Sequence, residues 1–145
     1  MNILVSACLL GCKCRYDGDD NWVKAVAELE KNYTLIPICP EEMGGLPTPR
    51  LPAEIQNSKV INKAGADVTE EFRMGAQLAL EIAKKHNCKL AILKERSPSC
   101  GRGKVYDGTF SKRLIAGNGV TTQLLLENGI EVIGESEVER LLTGR

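Results

Sequence analysis

Histidine is almost absent from this chain of 145 residues, His86 being the only one. A Ser-His-Asp or Cys-His relay would have to be built around it, and it stands at the end of an amphipathic segment, so acyl-transfer hydrolysis of that kind is disfavoured. Aromatic residues are scarce as well, at 4%, too few for an extended surface on which single-stranded nucleic acid stacks. Net charge is missing, since 19 basic residues face 19 acidic ones, and with it any long-range pull toward a polyanion or an anionic membrane. No apolar run reaches the roughly 20 residues of a membrane-spanning helix, because charge or glycine interrupts each candidate. The first residues lack the basic region and long apolar stretch of an export signal and read as a strand. Repeats, low-complexity tracts and linkers are lacking too.

What is present is a globular composition, with 43% hydrophobic and 26% charged residues. Residues 1–145 are long enough to bury one core without staples, so one domain is expected. Six cysteines without an export signal point to a reducing, cytoplasmic setting. There a thiol serves as metal ligand, nucleophile or packing group rather than as half of a structural disulfide.

Hydrophobic patterning alternates between strands and helices. Asn2 to Ala7 and Thr34 to Ile38 are short apolar runs that read as buried strands, with a helix over Asn21 to Lys31 as the crossover between them. Residues 40–54 carry Pro40, Pro47, Pro49 and Pro52 with Gly44 and Gly45, too many breakers for a regular element, and a loop of that length is usually functional. Lys59 to Asn62 predicts a small strand. Asp67 to Glu70 has capping-box spacing ahead of a helix to about His86, whose stripe is Phe72, Ala76, Ala79, Leu80 and Ala83. Lys89 to Leu93 and Ile130 to Ile133 are further core strands. Thr121 to Asn128 predicts a helix ended by Gly129, and a last helix follows a second capping-box spacing, Ser136 to Glu139, with Val138, Leu141 and Leu142 apolar and Gly144 as its stop. The alternation predicts one three-layer α/β domain with a mainly parallel, Rossmann-like sheet and right-handed crossovers.

In such sheets the binding crevice lies beyond the carboxyl ends of the strands. Cys8, Cys39 and Cys100 each follow a predicted strand, so a parallel arrangement brings them to one edge although 31 and 61 positions separate them. Three thiolates suit a soft metal or an iron-sulfur cluster and leave one coordination position for substrate or water. Cys88, at a helix end beside an apolar strand, reads as core packing. Cys12 and Cys14 stay open as further ligands or as part of a zinc site, and their spacing is not diagnostic.

The motifs Ser6-Ala7-Cys8-Leu9-Leu10-Gly11, Cys14-Arg15-Tyr16-Asp17-Gly18, Cys39-Pro40-Glu41, Gly44 through Arg50, and Ser97-Pro98-Ser99-Cys100-Gly101 resemble a widespread family of short bacterial proteins. The family was long of unknown function, and its characterised members are thiouracil desulfidases. The resemblance runs over essentially the whole chain, including Val105 to Phe110 and Asn118 to Thr121. It implies a 4Fe-4S cluster held by Cys8, Cys39 and Cys100, the fourth iron taking the sulfur of a thiolated pyrimidine, and replacement of C=S by C=O without net redox change. Cys12 and Cys14 fall outside the ligand set it implies.

The chemistry then needs a proton acceptor for water, and Glu41, two residues after Cys39, is placed for it, with Glu42 behind it. Ser97 is assigned to catalysis and to substrate binding, by orienting water or meeting a pyrimidine edge, and Ser99 to substrate binding. Arg15, Arg50, Lys94, Arg96, Arg102 and Lys104 form an expected basic rim that offsets cluster charge and accepts a nucleotide phosphate on a larger substrate. The partner expected is a small thiolated nucleobase or nucleoside. Two other classes compete: a zinc-binding structural module using four of the thiols, and a metal-free redox or persulfide protein with Cys100 as its reactive group.

Overall fold

The computed structural model describes residues 1–143, with side chains as far as Leu141. The helix stop assigned to Gly144 and the apolar contact assigned to Leu142 lie outside the described residues. In chain order the elements are β1 (Asn2–Ser6), α1 (Lys24–Glu28), β2 (Thr34–Ile38), α2 (Pro40–Met43), β3 (Ala53–Gln56), β4 (Lys59–Asn62), α3 (Thr69–Lys85), β5 (Leu90–Leu93), β6 (Lys104–Tyr106), β7 (Leu114–Ala116), α4 (Val120–Glu127), β8 (Glu131–Gly134) and α5 (Glu139–Thr143). Short 3-10 turns follow β1, α1 and β8.

Four strands pair in the order β2-β1-β5-β8, every pair parallel. The chain winds outward from β1 to β2 and then returns to the other side of β1, which creates a switch point at the carboxyl end of β1. Strand alternation divides the core into two layers. Leu4, Ala91, Leu93 and Val132 pack under Ala79, Leu80, Ala83 and Leu125 of α3 and α4. Ile3, Val5, Leu90, Ile92 and Ile133 face the opposite way, onto Val26, Leu29 and Val138. This is the expected Rossmann-like three-layer arrangement. Pro37, which cannot donate to a ladder, is tolerated because β2 is an edge strand, and Cys88 is a core residue at 4% exposure.

Several expectations are corrected. Residues 40–54 are not wholly irregular, since they contain α2 and open β3. The Lys59–Asn62 strand forms as expected, in an antiparallel hairpin with β3, and a second hairpin that the patterning did not predict, β6-β7, carries the segment after Cys100. The first helix begins only at Lys24, because the amides of Asn21 and Val23 bond to the carbonyls of Cys8 and Leu9 at 2.9 and 3.0 Å. Those bonds clamp the turn that bears Cys8. Asp67 accepts the Thr69 amide at 2.9 Å, but it stands one position before the N-cap, Val68, which has no side-chain cap bond, and Glu70 pairs with Arg73 at 3.2 Å instead of reaching back. Ser136 bonds to the Glu95 carboxylate, so its capping box is not formed.

Helices α2 and α3 touch through glycine. A Cβ on Gly75 would lie 1.9 Å from the Pro40 carbonyl oxygen, and one on Gly44 would lie 1.9 Å from the Glu71 oxygen. This backbone-to-backbone contact holds the Cys39-Pro40-Glu41 turn at the sheet edge.

Candidate metal centre

Three loops meet at the carboxyl edge of β1, β2 and β5 around a cavity of about 620 Å³ whose wall includes Cys8, Cys39, Cys100 and Glu41. Cys8 sits in the turn after β1 and Cys39 opens α2 directly after β2. Cys100 arrives from the loop after β5. That loop is fastened by the start of α4: the amides of Gly119, Val120 and Thr121 bond to the carbonyls of Gly101, Pro98 and Ser99 at 2.8, 2.9 and 2.8 Å. Thr122 Oγ1 donates to the Cys100 carbonyl at 2.7 Å. A Cβ at position 119 would lie 2.7 Å from the Cys100 nitrogen, so only glycine permits the approach.

Burial pushes the Cys8 thiol up, against a hydrogen bond from Asn21, and pushes the Cys100 thiol well above its ordinary range, with the Glu41 carboxylate adding to the effect. Cys39 is lowered, chiefly by the Cys14 thiol that hydrogen-bonds to it. The hydroxyls of Ser6 and Ser99 both face the Cys100 sulfur. Ser6 is 3% exposed, and its oxygen also accepts the Lys94 amide at 2.9 Å.

Glu41 is tucked into the same cavity. Burial raises its carboxyl and the neighbouring Arg50 guanidinium draws it back down, with Arg50 Nη2 3.4 Å from Glu41 Oε2. The same guanidinium nitrogen donates to the Cys14 carbonyl at 2.9 Å, and Nη1 donates to Thr48 Oγ1 at 2.9 Å. Glu42 is exposed and accepts the Thr48 hydroxyl, so the two carboxylates are separated into one that faces the cavity and one that braces the loop.

Ser97 lines the cavity, and its oxygen accepts the amides of Ser99 and Cys100 at 3.1 Å each. Its hydroxyl proton is left free for another acceptor. Ser99 is placed differently from its expected role. It is fully buried, its hydroxyl pairs with Thr121 Oγ1 at 2.8 Å, and it is not part of the cavity wall. Its geometry makes it a support for Cys100 rather than a reader of substrate.

Of the expected basic rim, Arg15, Arg50, Lys94 and Arg96 line the cavity, whereas Arg102 and Lys104 do not. Arg102 instead bonds to the Val132 carbonyl at 3.2 Å. Arg15 is held by Asp17 at 2.6 Å and Lys94 by Glu135 at 2.9 Å. Arg96 has no ion pair among the described residues, and neither have Lys63 and Lys112, two cavity residues from the hairpins that sequence reading missed. Tyr16, Phe72, Tyr106 and Phe110 also line the cavity, so most of the few aromatics gather here. Ser6 carried a local signal, as a buried hydroxyl at the end of an otherwise apolar strand. Arg50 was expected only as a rim charge, and neither its pairing with Glu41 nor the hairpin residues carried a signal, because their part depends on how distant segments fold back.

The donor set fits an iron-sulfur cluster. Soft thiols from three separate loops surround a cavity rather than a point, and among the described residues no three Cys, His, Asp or Glu side chains converge within reach of one metal ion. No helix among them is long and apolar enough to cross a membrane.

Comparison with known proteins agrees with this layout. Residues 3–137 match the family described as 2-thiouracil desulfurase. The chain is 43% identical to the uncharacterized protein YbbK of Bacillus subtilis strain 168, over 97% of its own length and 99% of that protein's. It is also similar to the solved structure of TudS, a 4Fe-4S-dependent thiouracil desulfidase, at 44% identity with a TM-score of 0.90, covering 99% of this chain and 96% of the other. With the family's match spanning residues 3–137 and the fold matched at a TM-score of 0.90 over nearly the whole chain, the chain belongs to the 2-thiouracil desulfurase family.

Proposed function

We propose that this protein is a desulfidase that converts the C=S group of a thiolated pyrimidine to C=O, releasing sulfide without net redox change. The observation that carries the reading is the convergence of Cys8, Cys39, Cys100 and Glu41 on one cavity. Residues 1–145 act together as one desulfidase domain. Cys8, Cys39 and Cys100 would hold a 4Fe-4S cluster, which supplies a Lewis-acidic iron free of a protein ligand for the substrate sulfur.

The remaining work falls to the chain's own side chains. Glu41 accepts a proton from the water that adds to the thiocarbonyl carbon and returns it to the departing sulfide, so thiocarbonyl and water give carbonyl and hydrogen sulfide. Its burial and its Arg50 partner suit it to hold a proton and give it up again. Ser97 orients the water or a ring carbonyl with its free hydroxyl proton. Tyr16, Tyr106 and Phe110 on the cavity wall suit a single planar ring, the scale of a free nucleobase or nucleoside. Lys63, Arg96 and Lys112, at the hairpin side, are open to a phosphate on a larger substrate. Lacking any free polyanion-binding excess of charge, the chain has no extended nucleic-acid surface, and its work is that of a cytoplasmic enzyme on small molecules.

The zinc reading requires four ligands on one ion, an arrangement that the spread of these thiols does not favour. The reactive-thiol reading needs an accessible, low-pKa Cys100, and this one is 3% exposed and pushed upward.

The test is iron, acid-labile sulfide and zinc analysis of protein purified without oxygen, beside a Cys100→Ala variant, followed by sulfide release from thiouracil, thiouridine and its monophosphate. About four irons and four sulfides per chain, lost in the variant together with sulfide release, is the expected result. Stoichiometric zinc, or sulfide release from metal-free protein, would overturn it.

A further inference from the structure

Cys14 is unused by the proposed reaction, yet it is the most closely engaged of the remaining thiols. It is 3% exposed and shares the cavity wall with Cys39. The Cys39 sulfur lies 3.9 Å from the Cys14 carbonyl oxygen, and Arg50 grips that same oxygen at 2.9 Å, so the Cys39 side chain is held against residue 14. Both thiols line the cavity, Cys39 half-buried and Cys14 buried. Cys12, by contrast, is exposed. Packing alone asks only for a small apolar group at position 14; a thiol set against a ligand thiol adds chemistry.

We propose that Cys14 and Cys39 are a latent disulfide site, which closes in the cluster-free chain under peroxide and shelters the Cys39 sulfur from irreversible oxidation. Cys39 attacks hydrogen peroxide, breaking the O–O bond to give a sulfenic acid and one water. The Cys14 sulfur then displaces the sulfenic oxygen as a second water, so two thiols and one peroxide yield one disulfide and two waters, with both electrons passing from sulfur to peroxide. A dithiol reductant reverses the step and returns both thiols. The exposure order sets the roles: the more exposed sulfur, Cys39, meets peroxide first, and the buried Cys14 thiol on the same wall resolves it. The protection of a ligand rests on the cluster reading above, whereas formation of the disulfide does not.

The experiment treats the full-length chain, in cluster-loaded and chelator-stripped forms, with a several-fold excess of hydrogen peroxide, since sulfinic acid consumes two peroxides per thiol, blocks free thiols by alkylation and maps the linked peptides. The expected product in the stripped chain is a Cys14–Cys39 linkage, also formed by Cys12→Ser, with full iron uptake regained after dithiothreitol. In Cys14→Ser the Cys39 peptide carries sulfinic acid instead and iron uptake stays lost after reduction. A Cys12–Cys14 or Cys8–Cys39 linkage as the main product, or equal sulfinic acid at Cys39 with and without Cys14, would overturn the proposal. Linkage that forms equally in both preparations, with no iron in either, would leave the disulfide standing and count against the cluster reading.

Discussion

Arg50 Nη2 stands between the Glu41 carboxylate, 3.4 Å away, and the Cys14 carbonyl, 2.9 Å away. One guanidinium thereby ties the carboxylate of the α2 turn to the segment that follows Cys8, and both to the Pro-rich loop through Thr48. The loop's prolines and glycines supply the path; the arginine fixes where it ends.

Glu41→Gln keeps the shape of the side chain and removes its capacity to take a proton. The turnover number for sulfide release should fall about a hundredfold to a thousandfold, the range of general acid-base catalysis, while iron content per chain stays at the wild-type value. Full activity in an iron-replete Glu41→Gln protein would remove Glu41 from the mechanism.

Arg50→Ala leaves Glu41 buried without its counter-charge and strips a donor from the Cys14 carbonyl. Breaking a largely buried pair from one side costs about 3 kcal/mol, readable as a lower urea midpoint. Arg50→Lys should recover only part of this, since an ammonium cannot meet both the carboxylate and the Cys14 and Thr48 acceptors with a planar fork.

Gly75→Ala tests whether helix contact positions the site. The added methyl would collide with the Pro40 oxygen at 1.9 Å, pushing α2 and its Cys39 and Glu41 outward. A loss of about 3 kcal/mol is expected, with iron uptake reduced alongside stability. The exposed Met74→Ala change on the same helix should alter neither, and serves as the control.

Ser6→Ala removes a hydroxyl that accepts the Lys94 amide and faces the Cys100 sulfur. Folding stability should drop by about 1 kcal/mol. Iron should be lost to a chelator faster than from wild type, and equal rates in the two proteins would show that the hydroxyl does not support the ligand.

Asp17 supplies a pH test at the cavity rim, through its bond to the cavity residue Arg15. The Arg15 guanidinium bonded to it at 2.6 Å holds its carboxyl at about 2, below its ordinary 3.8. Because the folded value is depressed, its contribution is present above 3.8 and lost as pH falls toward 2. Carboxyl NMR titration should place the Asp17 midpoint near 2 in the wild type and higher in Arg15→Gln, moved toward 3.8 but still held down by the Asp19 amide at 3.1 Å.

Much of this protein was legible in one dimension. The apolar runs of β1, β2, β5 and β8 and the stripe of α3 report the parallel sheet and its helices, because burial on one or both faces imposes a period that local sequence must obey. Strand ends then place Cys8, Cys39 and Cys100 at one edge, since a parallel sheet sends all its carboxyl ends the same way. Glu41 came with Cys39 through their short spacing. Tertiary structure alone decided which neighbour faces the cavity, turning Glu41 inward and Glu42 outward, sealing Ser99 behind Cys100 and leaving Ser97 at the wall. It also folded the two hairpins over the sheet edge, bringing Lys63, Tyr106, Phe110 and Lys112 to the cavity, and set Cys14 against Cys39. Period and spacing fix direction along an element; contacts between segments far apart in sequence depend on how loops close, and loop closure is settled by pairings such as Arg50 with Glu41 that no local pattern encodes.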